Sequence, residues 1–117
     1  MRPRQSTVRF EVARGKLVRH VTFKEDSRSY IHRAALAVLK EVAWYVEEHS
    51  QDGVTTNELW EVLPNLPATQ ISVALEFLKE RGCLETRCRR NFPVTTTLFE
   101  DAMVEYHALA EVPVDRL

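Results

Sequence analysis

Arg87, Arg89 and Arg90, followed at once by Asn91, put three guanidinium groups and an amide within five residues of a 117-residue chain. Guanidinium groups suit phosphate oxygens, which they bind through paired N–H donors. Leu84, Thr86 and Cys88 alternate with Glu85, Arg87 and Arg89, so a strand here sets Arg87 and Arg89 on one side. A second group lies upstream. Thr69, Gln70 and Ser72 point away from an apolar stripe made by Ile71, Leu75 and Leu78. A Gln amide can pair with adenine through two hydrogen bonds, and a hydroxyl can donate or accept. The chemistry that these residue types offer is contact with nucleic acid, at phosphate and at base edges.

Catalytic chemistry has little to stand on. Gly15, Gly53 and Gly82 are too scattered for a phosphate-cradling loop. The histidines His20, His32, His49 and His107 are spread along the chain, none at ligand spacing with another histidine or a cysteine. Cys83 and Cys88 lie five apart on one expected strand and point to opposite faces, so they neither bridge nor share a metal. Glu47-Glu48 and Glu100-Asp101 are adjacent on expected helices, where neighbours do not share a face. The sequence therefore carries no expectation of an enzyme, a metal or a cofactor.

The elements that must position these residues are marked by their ends. Thr55 and Glu58 are spaced as a capping box, with Val54 and Leu59 spaced as a hydrophobic staple around it. Leu59, Val62 and Leu63 continue at helical spacing until Pro64 stops the ladder. Pro67 suits the first position of a second helix. Ile71, Ala74, Leu75 and Leu78 mark its buried face. Gly82 suits the left-handed position just past its end. A strand follows, then a turn at Arg90-Asn91-Phe92-Pro93 and a return strand through Val94, Thr96 and Leu98.

Flanking elements are equally regular. Residues 1–6 read as a basic arm. Residues 7–23 read as a β-hairpin, with Val8, Phe10 and Val12 alternating on one strand and a turn at Arg14-Gly15-Lys16. Residues 29–49 read as one long helix, apolar on two faces through Ile31, Ala34, Ala35, Val38, Val42, Tyr45 and Val46, widened by Leu36, Leu39 and Ala43. Thr97 and Glu100 are spaced as a further capping box. It opens a C-terminal helix over residues 98–111 that Pro113 stops.

Two helices across a short break, then a β-hairpin, resemble the winged helix-turn-helix of MarR- and ArsR-type bacterial regulators. Three segments carry the match: Thr55-Thr56-Asn57-Glu58-Leu59, Ala68-Thr69-Gln70-Ile71-Ser72 and Leu78-Lys79-Glu80-Arg81-Gly82-Cys83-Leu84. The resemblance covers roughly residues 30 to 99. It implies a mostly helical α+β fold, a single domain over residues 7–117 with the helix-turn-helix at 55–82 and the wing at 83–98, and transcriptional regulation by binding double-stranded DNA. It puts the second helix in the major groove and the wing on phosphate or minor groove. Thr56 and Val73 join Thr69, Gln70, Ser72, Arg87, Arg89, Arg90 and Asn91 as the residues facing DNA. It also implies a homodimer through the C-terminal and long helices, which would present two reading heads.

Composition sets the bounds. At 44% hydrophobic and 28% charged residues, the chain is an ordinary globular one with material for one modest core. No run approaches the ~18 apolar residues of a membrane span, and the basic N-terminus lacks the apolar centre of a signal peptide. A cytoplasmic location is expected. The net charge of −1 hides segregation. Residues 1–20 (Arg2, Arg4, Arg9, Arg14, Lys16 and Arg19 against Glu11) are basic, as is the wing (Arg87, Arg89 and Arg90 against Glu85). The rest is acidic. Glu58, Glu61 and Glu76 lie in the helix-turn-helix and disfavour phosphate. An alternative reading therefore stands beside the first: a winged-helix module that binds protein, anchored by Val73, Phe77 and Trp60.

Overall fold

The computed structural model describes residues 6–25 and 28–111. The expected basic arm, apart from Ser6, and the stop at Pro113 lie outside the described residues. Among these residues the chain forms an α+β fold of four helices, one three-stranded antiparallel sheet and one two-stranded antiparallel sheet.

The N-terminal hairpin joins β1 (Ser6–Ala13) to β2 (Lys16–Phe23), with Phe10 opposite Arg19 and Val12 opposite Leu17. Its two-residue turn holds Arg14 and Gly15 at φ 55° and 75°, the sign of a primed turn whose twist matches that of the strands. A hairpin alone is marginal in water, and β2 would leave its outer ladder groups unpaired. β3 (Ser29–Ala35) supplies the partner, with Leu17 opposite Ala34 and Arg19 opposite His32. The long helix expected over residues 29–49 is thus a strand for its first seven residues. Ile31, Ala34 and Ala35 fit a helical stripe, but Tyr30, His32 and Ala34 fit an alternation equally well. The open edge of β2 decides between them, a tertiary demand that overrides local pattern. Ile31, assigned to the core of a helix, instead lies 44% exposed.

The helix that remains is α1 (Leu36–Glu48), which buries Val38, Leu39, Val42, Ala43 and Val46. α2 (Thr56–Val62) begins as its sequence requires. The Thr55 hydroxyl accepts from the Glu58 N–H at 3.1 Å, and the Glu58 carboxylate accepts from the Thr55 N–H at 2.9 Å. Leu59 is its only buried residue, and Val62 turns outward. α3 (Ala68–Glu80) takes Pro67 as its N-cap rather than its first residue, so the helix begins one residue later than expected. It closes in a Schellman motif: the Gly82 N–H donates to Lys79 O, and the Cys83 N–H to Leu78 O at 2.8 Å.

The second hairpin is shorter than expected. β4 (Leu84–Arg87) meets β5 (Arg90–Pro93) across a two-residue turn of Cys88 and Arg89, both left-handed at φ 51° and 66°. The expected turn at residues 90–93 is therefore the return strand, and Val94–Thr96 only bends toward the last helix. Asn91 and Pro93 carry turn chemistry by type, whereas the true tip holds neither glycine nor asparagine. Asn91 also pairs with Val54 by two backbone hydrogen bonds of 2.9 and 3.0 Å. This ties the hairpin to the segment ahead of α2.

α4 (Leu98–Ala110) packs on α1 and against β1. Its expected Thr97–Glu100 capping box does not form. Asp101 accepts from the hydroxyls of Thr95 and Thr97, while the Glu47 carboxylate on α1 accepts from the Phe99 N–H at 2.9 Å. A carboxylate there suits the positive end of the helix dipole. One apolar core runs through the whole arrangement, from Phe10, Leu17 and Ala34 of the larger sheet to Leu39, Leu59, Phe77, Leu84 and Leu98.

Candidate nucleic-acid interface

α3 was expected to bury one face and present the other. It buries two. Ile71, Ala74, Leu75 and Leu78 face inward as read, but Val73 and Phe77 are also fully buried, because the N-terminal sheet lies across that side. Phe10 meets Phe77 edge-on at 5.5 Å. Arg19, from the inner face of the sheet, donates to Glu76 at 2.6 Å and to His32 Nδ1 at 2.8 Å. The Gln70 amide oxygen accepts from the Ala35 N–H at 2.9 Å, which satisfies a backbone donor at the head of α1.

These contacts correct the expected DNA-facing set on α3. Val73 is a core residue and Gln70 holds a helix start. Thr69 is exposed and Ser72 half-buried, so these two remain at the surface, with Lys79 and the partly exposed Glu76 further along. Thr56, in the first turn of α2, is half-buried. Phe77 drops out as a protein anchor for the same reason as Val73. Trp60 stays outside, 42% exposed.

The residues of the second hairpin also divide. Asn91 was placed at a solvent tip but is only 2% exposed. Its amide donates to Val54 O at 2.9 Å and its carbonyl accepts from the Thr86 hydroxyl at 3.0 Å. Arg90 turns back onto the body of the protein. Its Nε donates to Asp52 O at 2.8 Å, and its Nη2 to Gly53 O and to the Glu58 carboxylate. Gly53 has φ 72°, and a Cβ there would come within 2.7 Å of the Phe92 ring; only glycine fits this close approach. Arg87 and Arg89 stay exposed. The Arg87 guanidinium lies 4.1 Å from the Phe92 ring centre, a cation–π geometry, and 3.3 Å from Glu85.

Electrostatics at the site follow from these contacts. The Thr55 N–H and then Arg90 hold the Glu58 carboxyl below its ordinary value. Burial, aided by Glu105 and Asp101, pushes the Cys83 thiol up to about 11, so it stays protonated and poorly nucleophilic. Cys88 is exposed at the tip of the second hairpin. Among the described residues, no cluster of His, Cys, Asp or Glu has the geometry to hold a metal ion, and no helix is long and apolar enough to cross a membrane.

Sequence reasoning counted Arg14 and Lys16 in a basic N-terminal segment but did not bring them together with Arg33 on one exposed sheet. The alternation of β1 and β2 contained part of that signal. Arg33 was hidden because its segment reads as helix. Comparison with family models, with curated proteins and with solved structures finds no match to this chain.

Proposed function

We propose that this chain is a DNA-binding transcriptional regulator of winged helix-turn-helix type that holds duplex DNA chiefly by its backbone. The observation that carries the reading is the succession α2, α3, β4, β5, with the hairpin tied back to the start of α2 by the Val54–Asn91 pairing. That tie holds the hairpin against the head of α2, and Arg87 and Arg89 face solvent. With Gln70 and Val73 occupied inside the fold, base contacts from α3 fall to Thr69 and Ser72. Phosphate contact then supplies most of the affinity, and such affinity falls steeply with salt. A cytoplasmic location and a homodimer go with this reading.

The test is a fluorescence-anisotropy titration of a labelled duplex with wild type and with an Arg87→Ala, Arg89→Ala double variant. The reading expects weaker binding by the variant. Equal binding by the two removes the wing from the interface. Arg90 belongs outside this variant, because its loss disturbs the tie itself.

A second reading is favoured by one observation. Trp60 and Val62, 42% and 44% exposed, stand beside Glu61 on α2. An acidic surface with an exposed indole suits a protein partner better than phosphate.

A further inference from the structure

The outward face of the N-terminal sheet has a different character from the helices. The four helices carry ten carboxylates, from Glu41 on α1 to Glu105 on α4, against only Lys40 and Lys79 as cations. On the outward sheet face the balance reverses. The inner side chains Phe10, Leu17, Arg19 and Ala34 pack toward α3 and the core, so the alternation sends Arg9, Glu11, Lys16, Val18, His20 and Arg33 outward. There Glu11, Lys16, Val18, His20 and Arg33 line a concavity of about 520 Å³, with Arg14 at its turn end.

The lone carboxylate in that face is already engaged. Glu11 receives His20 Nε2 at 3.0 Å and Arg9 Nη1 at 3.3 Å. Arg14, Lys16 and Arg33 have no ion-pair partner among the described residues. The register places Lys16 opposite Ala35 and Arg33 opposite Val18. Lys16 and Arg33 are therefore diagonal neighbours, on the order of 7–8 Å apart at the backbone. Arg14 closes the group from a left-handed conformation, φ 55°, that glycine or asparagine would adopt with less strain. The wing tip repeats this choice, with Arg89 at φ 66°. An arginine kept where a turn residue would be easier is the kind of local strain found at binding sites.

From these observations we infer that the outward face of the N-terminal sheet binds the sugar–phosphate backbone of duplex nucleic acid, with Arg14, Lys16 and Arg33 as the phosphate contacts. The inference rests on the DNA-binding reading above and gives it a second contact surface beyond the wing. A duplex fits better than a single strand, because this face offers no Phe, Tyr or Trp on which bases could stack. It fits better than an anionic bilayer as well. The face is concave, its central apolar residue, Val18, is only 3% exposed, and Ile31, 44% exposed, lies outside the concavity, so one isolated side chain is all it offers to lipid chains.

The experiment has two arms on the full chain. In the first, a labelled random-sequence duplex is titrated across a salt series with wild type, with an Arg14→Gly, Lys16→Gln, Arg33→Gln variant, and with the Arg87→Ala, Arg89→Ala variant. Arg14→Gly relaxes the turn, so the sheet variant retains its fold. Loss of three phosphate contacts is expected to make the slope of log K against log salt shallower by about 2–3. In the second arm, wild-type lysines are acetylated with and without duplex and read by mass spectrometry. Lys16 is expected to be protected, and Lys40 and Lys79 unchanged. An unaltered slope in the sheet variant, or an unprotected Lys16, overturns the inference. If the wing variant still weakens binding, the DNA-binding reading survives that failure. No duplex binding by wild type overturns both. Wild-type binding to equimolar phosphatidylserine–phosphatidylcholine vesicles that the sheet variant loses, with duplex binding unchanged, assigns the face to lipid and overturns the nucleic-acid assignment.

Discussion

Arg90 closes the second hairpin onto the head of α2: its Nη2 donates to both carboxylate oxygens of Glu58, at 2.8 and 3.1 Å. Glu58 is at the same time the acceptor for the Thr55 N–H in the capping box. One carboxylate thus serves both the helix start and the second hairpin. The pair is well exposed, so its ionic part is worth little. The backbone bonds from Arg90 to Asp52 and Gly53 add to it. Arg90→Ala should lower the melting temperature by a few degrees.

The same contact sets a pH dependence. The folded Glu58 carboxyl sits below its unfolded value because the Thr55 N–H, and then Arg90, favour the charged form. Its contribution is therefore complete above the ordinary carboxylate range and is lost as pH falls through the folded value. Glu58→Gln should flatten the acid limb of a stability–pH curve measured by urea unfolding. An unchanged acid limb would place the acid-sensitive groups elsewhere.

Phe77 and Thr69 lie on one helix and should behave oppositely. Phe77 is fully buried against Phe10, so Phe77→Ala should cost about 3–5 kcal/mol, the range for emptying an aromatic site in a core. Thr69 is exposed, and Thr69→Ala should leave stability within about 0.5 kcal/mol. Chemical denaturation of both variants checks how far the N-terminal sheet covers α3. A mild Phe77→Ala would mean that this face is open.

Much of the scaffold was legible in sequence. The capping box at Thr55, the break between Pro64 and Pro67, the glycine that ends α3 and the C-terminal helix all rest on local chemistry, and all are found. What was illegible depends on neighbours. Ser29–Ala35 looks helical until the free edge of β2 is considered. Val73 and Phe77 look exposed until the sheet is laid on α3. Asn91 looks like a tip residue because a turn of Cys88 and Arg89 has no sequence signature. The site inherited these errors, since an orientation read from one helix or strand takes no account of what packs on its other side.

The two thiols should be distinguishable. Cys88 is exposed at the turn of the second hairpin, whereas Cys83 is buried. In folded protein, a thiol reagent should modify Cys88 promptly and Cys83 only after unfolding. The raised Cys83 value also has a stability consequence. Its folded state favours the neutral thiol, so this contribution is complete below the ordinary value of 9.0 and is lost as pH rises toward about 11. Cys83→Ser should reduce the alkaline loss of stability in that window.

Trp44 tests the oligomer. Its indole is 52% exposed on α1 and meets Phe99 of α4 edge-on at 5.6 Å, with Lys40 and Glu41 alongside. A second copy on this face would bury the indole. Light scattering should then give twice the chain mass of 13.6 kDa for wild type and the monomer mass for Trp44→Glu. A wild-type monomer at high concentration would exclude the dimer.

The central claim, that this chain holds DNA by its phosphates, is most directly tested by wild type alone. Its affinity for an unlabelled random duplex, measured by competition against a labelled one, should fall linearly on a log–log plot against salt, with a slope of several units. A protein of native circular dichroism that fails to compete at low salt, or whose affinity ignores salt, would contradict the account and leave the Trp60 surface as the stronger basis for function.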